Sequence, residues 1–232
     1  MHGGWCWRRV RPLIQAAGYE VHSPTLTGLG DRAHLGGRDV DLLLHVQDIL
    51  RFIEAEELDD FLLVGHSYGG MVISGVADHL PTAALDLLYL DALVPGSGEA
   101  AADLVPRGLD YGQFEDGMLP FLPGYDFGLT DPSDIAWVRR RITPQSVRTV
   151  TEPLRLVSDL SRFRRSFVEC TAARGGQAQM AAIARRAIQL AADPAWHVER
   201  LDAPHDCMIS HPAETAAIIL AAAERRWPAE PG

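Results

Sequence analysis

The sequence predicts an α/β fold in which a mostly parallel central sheet is flanked by helices. Short apolar runs alternate with amphipathic segments along the 232 residues, as strands and helices do in layered α/β proteins. The run from Phe61 to Val64 is continuously apolar, as expected for a strand that is covered on both faces. A glycine-rich turn, a helical pattern and a second apolar run, Leu85 to Leu90, follow it. Strand, helix and strand in this order indicate a right-handed βαβ unit.

The residues before this unit predict a helix, a strand, a loop and a second helix. Trp7 to Ala17 has a helical pattern, and Gly18 to Ser23 is a short extended run. Thr25 to Gly37 is rich in glycine and predicts a long loop. Asp39 is placed to cap the second helix. Apolar residues of that helix recur at spacings of three and four, at Leu42, Val46, Ile49, Leu50 and Ile53.

The middle of the chain has a different character. From Pro95 to Ser161, prolines, glycines and scattered aromatic residues replace clean strand signals. We therefore expect a helical cap at residues 96–160, inserted into an α/β core formed by residues 1–95 and 161–232.

After the predicted cap, the core pattern resumes with two strands and two helices. Ser166 to Thr171 and Trp196 to Leu201 are the predicted strands, and Met180 to Leu190 is the helix between them. The last helix is expected to begin at Pro212 and to end near Arg225, where positive charge suits the helix dipole.

Composition and charge exclude several classes of function. The net charge of −10 argues against a nucleic-acid partner, because phosphate binding needs clustered positive charge. Cys6, Cys170 and Cys207 are an odd number without metal-binding spacing, so they predict neither a disulfide framework nor a zinc site. With no long apolar stretch and no signal-peptide core, we expect no membrane partner and a cytoplasmic location. All 21 basic residues are arginine, which excludes chemistry that requires lysine.

The strongest chemical signal is a G-x-S-x-G motif at residues 65–69, between the predicted strand and an amphipathic helix. A turn of this kind is tight, and it displays its serine at the carboxyl edge of the sheet. We expect side chains at Gly65 and Gly69 to clash with the strand and the helix. The motif predicts Ser67 as a nucleophile.

A serine hydroxyl needs a base, and histidine has a suitable pKa. Of the nine histidines, His205 has the best position, since it follows the last predicted strand and comes after the serine in the chain. His66 is expected to point away along the turn, and His211 to cap the last helix. Three further histidines lie within predicted helices or a strand: His45, His79 and His197.

Several segments together resemble the esterase branch of the α/β-hydrolases, which also holds plant methylesterases, pyrethroid-type carboxylesterases and hydroxynitrile lyases. These segments are residues 5–10, 24–32, 65–70, 89–95 and 205–206. The similarity runs over nearly the whole chain and is most specific at residues 5–10 and 65–70. The resemblance implies that Ser67 is the nucleophile, that His205 is the base, and that the backbone N–H of Tyr68 is one donor to the oxyanion.

The chain departs from that family pattern at its start. Relatives carry a His-Gly pair at the end of a central strand and a second His-Gly before the tryptophan pair, whereas here only His2-Gly3 precedes Trp5. The absent part would include the first strands and the second oxyanion donor. We therefore expect the chain to be N-terminally incomplete, with a central strand missing beside Phe61 to Val64.

The acid of the triad has four candidates. Asp206 would have to fold back on its own loop, and Asp193 is expected to start a turn. Glu169 lies inside a predicted strand, so its side chain should leave the sheet face. Asp91 sits where the Leu85 to Leu90 strand ends, at the edge that displays Ser67, and some dehalogenases of this fold place their acid there. Asp91 is therefore the predicted acid, and the alternative is that it anchors the cap loop.

These residues predict a serine hydrolase that cleaves small hydrophobic esters through an acyl-enzyme, without a metal or organic cofactor. Aromatic and apolar residues of the cap are candidates either to line an apolar pocket or to pack the cap onto the core: Phe114, Met118, Phe121, Leu122, Tyr125 and Phe127. The oligomeric state is left open.

Three other classes of function are known for this fold. A non-catalytic, receptor-like ligand-binding member is the first alternative. A cyanohydrin lyase is the second, although the related plant enzymes use a lysine and this chain has none. Dehalogenase or epoxide-hydrolase chemistry would need an aspartate at position 67.

Overall fold

The computed structural model describes residues 1–81, 85–105, 110–121, 126–172 and 178–226. Within these residues the strands are β1 (Phe61–His66), β2 (Leu85–Leu90), β3 (Met118–Leu119), β4 (Gln145–Ser146), β5 (Arg165–Cys170) and β6 (Trp196–Leu201). The α-helices are α1 (Arg11–Ala16), α2 (Leu42–Ala55), α3 (Gly69–Asp78), α4 (Ala101–Leu104), α5 (Pro132–Arg139), α6 (Arg148–Thr151), α7 (Ala178–Ala191), α8 (Cys207–Ser210) and α9 (Pro212–Arg226).

Four strands form a parallel sheet in the order β1, β2, β5 and β6, as predicted. Its two central strands are buried on both faces. Leu87 and Phe167 pack with α2, α3 and α7 on one side, while Leu88 and Val168 pack with α1, α8 and α9 on the other. This double coverage is why the middle of each strand, residues 87–90 of β2 and residues 167–168 of β5, is apolar on both faces.

Several predicted bounds agree with the structure and others do not. The bounds of β2 and β6 and the first residue of α9 agree. The prediction of Asp39 as the cap of α2 is wrong, because Asp41 is the N-cap and its side chain accepts a hydrogen bond from the Leu44 N–H at 2.8 Å. The predicted helix from Trp7 to Ala17 is a 3₁₀ turn followed by the shorter α1.

The predicted strand from Gly18 to Ser23 is wrong. This segment has no regular secondary structure, since no strand of the described residues lies beside it to form a ladder. β1 is paired with β2 along one edge, and no described strand pairs with its other edge. A cavity of about 850 Å³ extends along that edge, between β1 and residues 19–24, and reaches Ser67. The central strand expected beside Phe61 to Val64 stays a prediction.

Residues 96–160, the predicted cap, contain α4, α5 and α6 together with an antiparallel pair of short strands, β3 and β4. Met118 pairs with Ser146, and Leu119 pairs with Gln145. The expectation of a purely helical segment was therefore incomplete. No helix within the described residues combines the length and the apolar character that a membrane span requires.

Candidate active site

The elbow between β1 and α3 places Ser67 in the left-handed region of backbone space, at φ +54°. A Cβ atom at Gly65 would lie 2.7 Å from the carbonyl oxygen of Gly69, and one at Gly70 would lie 1.9 Å from the carbonyl oxygen of Leu93. The expected clash at Gly69 is wrong, because a Cβ there meets no described atom within 4 Å. This tight turn brings the backbone close to Gly65 and Gly70, and only glycine, which has no Cβ atom, fits at these two positions.

His205 lies in the loop after β6, and its Nδ1 donates a hydrogen bond to Oδ2 of Asp91 at 2.6 Å. Both side chains are about 1% exposed. Asp91 follows β2 directly, and its Oδ1 accepts a hydrogen bond from the backbone N–H of Cys170 at 3.0 Å. Because Nδ1 of His205 is the donor in this bond, Nε2 is the ring nitrogen that would act as the base.

The other three candidate acids have different partners. Glu169 accepts from Nε of Arg200 at 2.9 Å, on the sheet face as expected for a residue inside β5. Asp193 accepts from the backbone N–H of Ala195 at 2.9 Å in the turn before β6. Asp206 accepts from Nε2 of His2 at 2.9 Å. Of the four, Asp91 is the carboxylate that is hydrogen-bonded to His205.

His66 contacts His205, although the sequence predicted that His66 points away along the turn. Its Nε2 donates to the carbonyl oxygen of His205 at 2.8 Å, and the two rings are 4.5 Å apart. Burial lowers the pKa of His66 to about 3, with a further contribution from the neighbouring His205, so the ring is neutral. The position of His66 could have predicted this contact. His66 lies at the carboxyl end of β1, and the loop after β6 starts at the same edge of the sheet.

His2 and Asp206 form a second pair that sequence reasoning missed. Asp206 is fully buried, and its backbone N–H donates to the carbonyl oxygen of Phe127 at 3.2 Å. Burial raises the pKa of Asp206, but nearby histidines, first of all the hydrogen-bonded His2, lower it more, so the net shift is downward and the carboxylate is ionised. A buried negative charge therefore lies beside His205, held by a histidine from the start of the chain.

Tyr68, whose backbone N–H is the predicted oxyanion donor, is anchored by its side chain. Its hydroxyl donates to Nδ1 of His45 at 3.0 Å, and Nε2 of His45 donates to the carbonyl oxygen of Thr27 at 2.9 Å. Burial lowers the pKa of His45, which keeps the ring neutral and able to accept from the tyrosine. Since Tyr68 is also the N-cap of α3, its N–H lies at the positive end of a helix dipole.

The cavity beside β1 is the candidate substrate pocket, and it is lined by two of the six predicted pocket residues. Phe121 and Phe127 stack with centroids 5.9 Å apart, and Phe127 stacks on His205 at 6.3 Å. Phe114 and Met118 are not among the described residues that line the cavity, although Leu119, the next residue of β3, is. Leu122 and Tyr125 lie outside the described residues.

Residues 1–218 match the alpha/beta hydrolase family. A carbendazim-hydrolyzing esterase from Nocardioides sp. is 38% identical over 235 residues, which covers 95% of this chain and 95% of the relative. A crystal structure of a pyrethroid hydrolase from Sphingobium faniae superimposes with a TM-score of 0.68 at 27% identity, covering 99% of this chain and 95% of the other. A methylesterase from Arabidopsis gives a TM-score of 0.76 at 20% identity, covering 97% and 95%, and it supports the fold alone.

Proposed function

The chain belongs to the alpha/beta hydrolase family, and from this premise we propose that it cleaves small hydrophobic carboxylic esters with Ser67 as nucleophile. Its esterase relative of matching length makes it a carboxylesterase-type hydrolase. The observation that carries the assignment of residues is the 2.6 Å hydrogen bond from buried His205 to buried Asp91, at the edge of the sheet where the elbow displays Ser67.

In the proposed first step, Nε2 of His205 takes the proton of Ser67 as its Oγ attacks the ester carbonyl carbon. The negative charge that develops on the carbonyl oxygen is held by backbone donors, one of which is the N–H of Tyr68. Collapse of this intermediate breaks the ester C–O bond, and the alcohol leaves with the proton from His205. Asp91 stabilises the imidazolium and holds the ring in the required tautomer.

In the second step, His205 takes a proton from water, and the resulting hydroxide attacks the acyl-enzyme. Collapse releases the carboxylic acid, and the proton on His205 returns to Oγ of Ser67. The chain's own residues supply every proton transfer in this sequence.

The cavity argues for a hydrophobic substrate. Its lining includes Ser67 and the aromatic rings of Phe121 and Phe127, and Phe127 stacks on His205. Carbendazim is the first substrate to test, because the esterase named for it matches 95% of this chain.

The test compares wild type with Ser67→Ala on carbendazim and on a panel of aryl and alkyl esters. We expect Ser67→Ala to lose turnover while its circular dichroism is unchanged, because the rest of a triad does not replace its nucleophile. Ser161→Ala, which changes an exposed serine, is the matched control and should keep wild-type turnover.

A fluorophosphonate probe separates catalysis from mere binding. It should label wild type and fail to label Ser67→Ala. Turnover above a few per cent of wild type in a folded Ser67→Ala protein would overturn the mechanism. An unlabelled wild type that still binds esters would favour the receptor-like alternative.

A further inference from the structure

A second buried carboxylate lies beside His205, in addition to that of Asp91. Asp206 follows His205 directly in the chain and is fully buried. Of its carboxylate oxygens, one lies within 4.8 Å of a ring nitrogen of His205. Oδ2 accepts the hydrogen bond from His2, while the buried Oδ1 has no hydrogen-bond partner in the described part of the chain. An unpaired buried carboxylate oxygen is costly to the folded state, so this arrangement points to a role in function.

His2 fixes the position of this carboxylate. Its Nε2 donates to Oδ2 of Asp206 at 2.9 Å, because an ionised carboxylate can only accept. The ring of His2 stacks on Trp5 with centroids 5.1 Å apart and lies edge-to-face with Phe127 at 4.7 Å. The backbone carbonyl of Phe127 in turn accepts from the backbone N–H of Asp206 at 3.2 Å. Asp206 is therefore held through both its side chain and its backbone.

The charge of Asp206 bears on the form of His205 that arises during the proposed reaction. When His205 takes the proton of Ser67, its ring becomes an imidazolium. A negative charge a few ångströms away, on another buried side chain, stabilises that positive ring relative to the neutral one. The interaction is mutual, since burial raises the pKa of Asp206 and the nearby histidines, first of all His2, lower it more.

His66 and two cysteines also lie in this neighbourhood, and they stay uncharged. Burial lowers the pKa of His66 to about 3, so its ring is neutral. Burial raises the pKa of the Cys6 thiol, and a thiol hydrogen bond together with burial raises the pKa of the Cys170 thiol. Asp206 therefore adds a negative charge beside His205 that none of these three side chains cancels.

We propose that Asp206 is a positioning residue of ester hydrolysis: its buried negative charge, held in place by His2, stabilises the imidazolium of His205 in the transition state. Asp91 fixes the tautomer of the ring through a hydrogen bond, whereas Asp206 acts through its charge. The inference rests on the proposed function of Ser67 and His205, but the effect of Asp206 on the titration of the His205 ring can be measured without it.

The first test measures kcat and KM of Asp206→Asn across the pH range in which the base titrates. We expect kcat to fall about tenfold with KM within about threefold of wild type. The acidic limb of kcat/KM should move to lower pH by about one unit, because an imidazolium without the nearby charge loses its proton more easily. Asp202→Asn, which removes an exposed carboxylate from the same loop, is the matched control and should leave kcat and the limb in place.

Two variants of His2 test the second part of the proposal, and they serve also if Asp206→Asn does not fold. His2→Phe keeps a ring beside Trp5 but removes the donor, so it should reproduce both the loss of kcat and the shift of the limb. Combined with Asp206→Asn it should lower kcat by less than about twofold more, because residues that act as one unit are not additive. His2→Gln retains an N–H donor and should recover most of kcat.

An acidic limb that does not move in folded Asp206→Asn, whether or not kcat falls, would overturn the proposal. Equal losses in the two His2 variants, or fully additive losses in the double variant, would overturn the part assigned to His2.

Titration of the His205 ring by NMR, with His205→Gln to assign its signal, separates this inference from the proposed function. We expect a lower titration midpoint in Asp206→Asn than in wild type, and an unchanged midpoint would overturn the effect of Asp206. A lower midpoint in a chain that hydrolyses no ester would refute the proposed function and leave the influence of Asp206 on His205 standing.

Discussion

The ring of His66 donates a hydrogen bond to the backbone carbonyl of His205 at 2.8 Å, across 139 positions of the chain. His66 directly precedes Ser67, so this bond ties the nucleophile elbow to the loop that carries the proposed base. The proposed nucleophile and the proposed base are thereby held relative to each other by a residue that has no proton-transfer role in the proposed mechanism.

Removing this bond should lower turnover more than substrate affinity. His66→Phe keeps a ring of similar size but leaves the His205 carbonyl unpaired, and we expect kcat to fall about tenfold, the equivalent of one lost hydrogen bond, with KM within about twofold of wild type. His66→Gln retains a donor and should recover much of kcat. Steady-state kinetics with the same ester checks both variants.

Equal kcat in His66→Phe and wild type would show that the bond does not position the base. Equal loss in the Phe and Gln variants would point to a role of the imidazole itself.

Asp91→Asn should be among the most damaging conservative substitutions. An asparagine no longer enforces the tautomer of His205 that leaves Nε2 free, and we expect kcat to fall by about 10⁴. Glu169→Gln is the matched control, because Glu169 is also buried and lies in a strand of the same sheet but pairs with Arg200, so kcat should stay near wild type. The reverse pattern would move the acid of the triad to β5.

Tyr68→Phe should reduce stability without abolishing turnover. The change leaves Nδ1 of buried His45 without its donor, which costs about 1 to 3 kcal/mol in the free energy of unfolding. The backbone N–H proposed for the oxyanion remains, so kcat should fall less than tenfold. Chemical denaturation measures the stability of Tyr68→Phe, and steady-state kinetics measures its kcat. Tyr89→Phe, which removes the hydrogen bond to Ser74, is the control, and it should lose stability while its kcat stays at the wild-type value. A Tyr68→Phe protein as stable as wild type would contradict the prediction.

Asp78 should stabilise the protein in a pH-dependent way. Burial raises its pKa, but hydrogen bonds from the backbone N–H groups of Val157 and Ser158 lower it more, so the net shift is downward. A carboxyl group whose pKa is lower in the folded state stabilises that state above its unfolded pKa, and this contribution is lost as the pH falls through the folded pKa.

Since Asp78 is only partly buried and solvent screens its charge, we expect Asp78→Asn to lose about 0.5 to 1 kcal/mol of unfolding free energy at pH 7, and the difference from wild type to shrink below about pH 4. Urea denaturation at several pH values measures this. Asp59→Asn, at an exposed position, should show little difference at any pH. A difference for Asp78→Asn that persists unchanged at low pH would contradict an ionic contribution.

The sequence by itself determined the features that depend on neighbouring residues. Short apolar stretches marked β1, β2, β5 and β6, although β5 and β6 also carry charged residues such as Glu169 and Arg200. The elbow could be predicted from the glycines of its motif, because only glycine fits where Gly65 lies against the helix backbone. Asp91 could be predicted as the acid of the triad because neighbouring parallel strands end at the same edge of the sheet. The residue after β2 therefore lies near the residue after β1.

Only the tertiary structure decided the contacts that depend on how distant segments fold together. The bond from His2 to Asp206 spans 204 positions, and the family resemblance that includes His2-Gly3 and residues 205–206 does not predict that they meet. The extended run after Gly18 lacks a strand in the described structure, because a strand exists only where a partner supplies backbone hydrogen bonds. Local chemistry could therefore name the reacting residues, while the shape of the cavity and the neighbours of His205 came from packing between segments far apart in the chain.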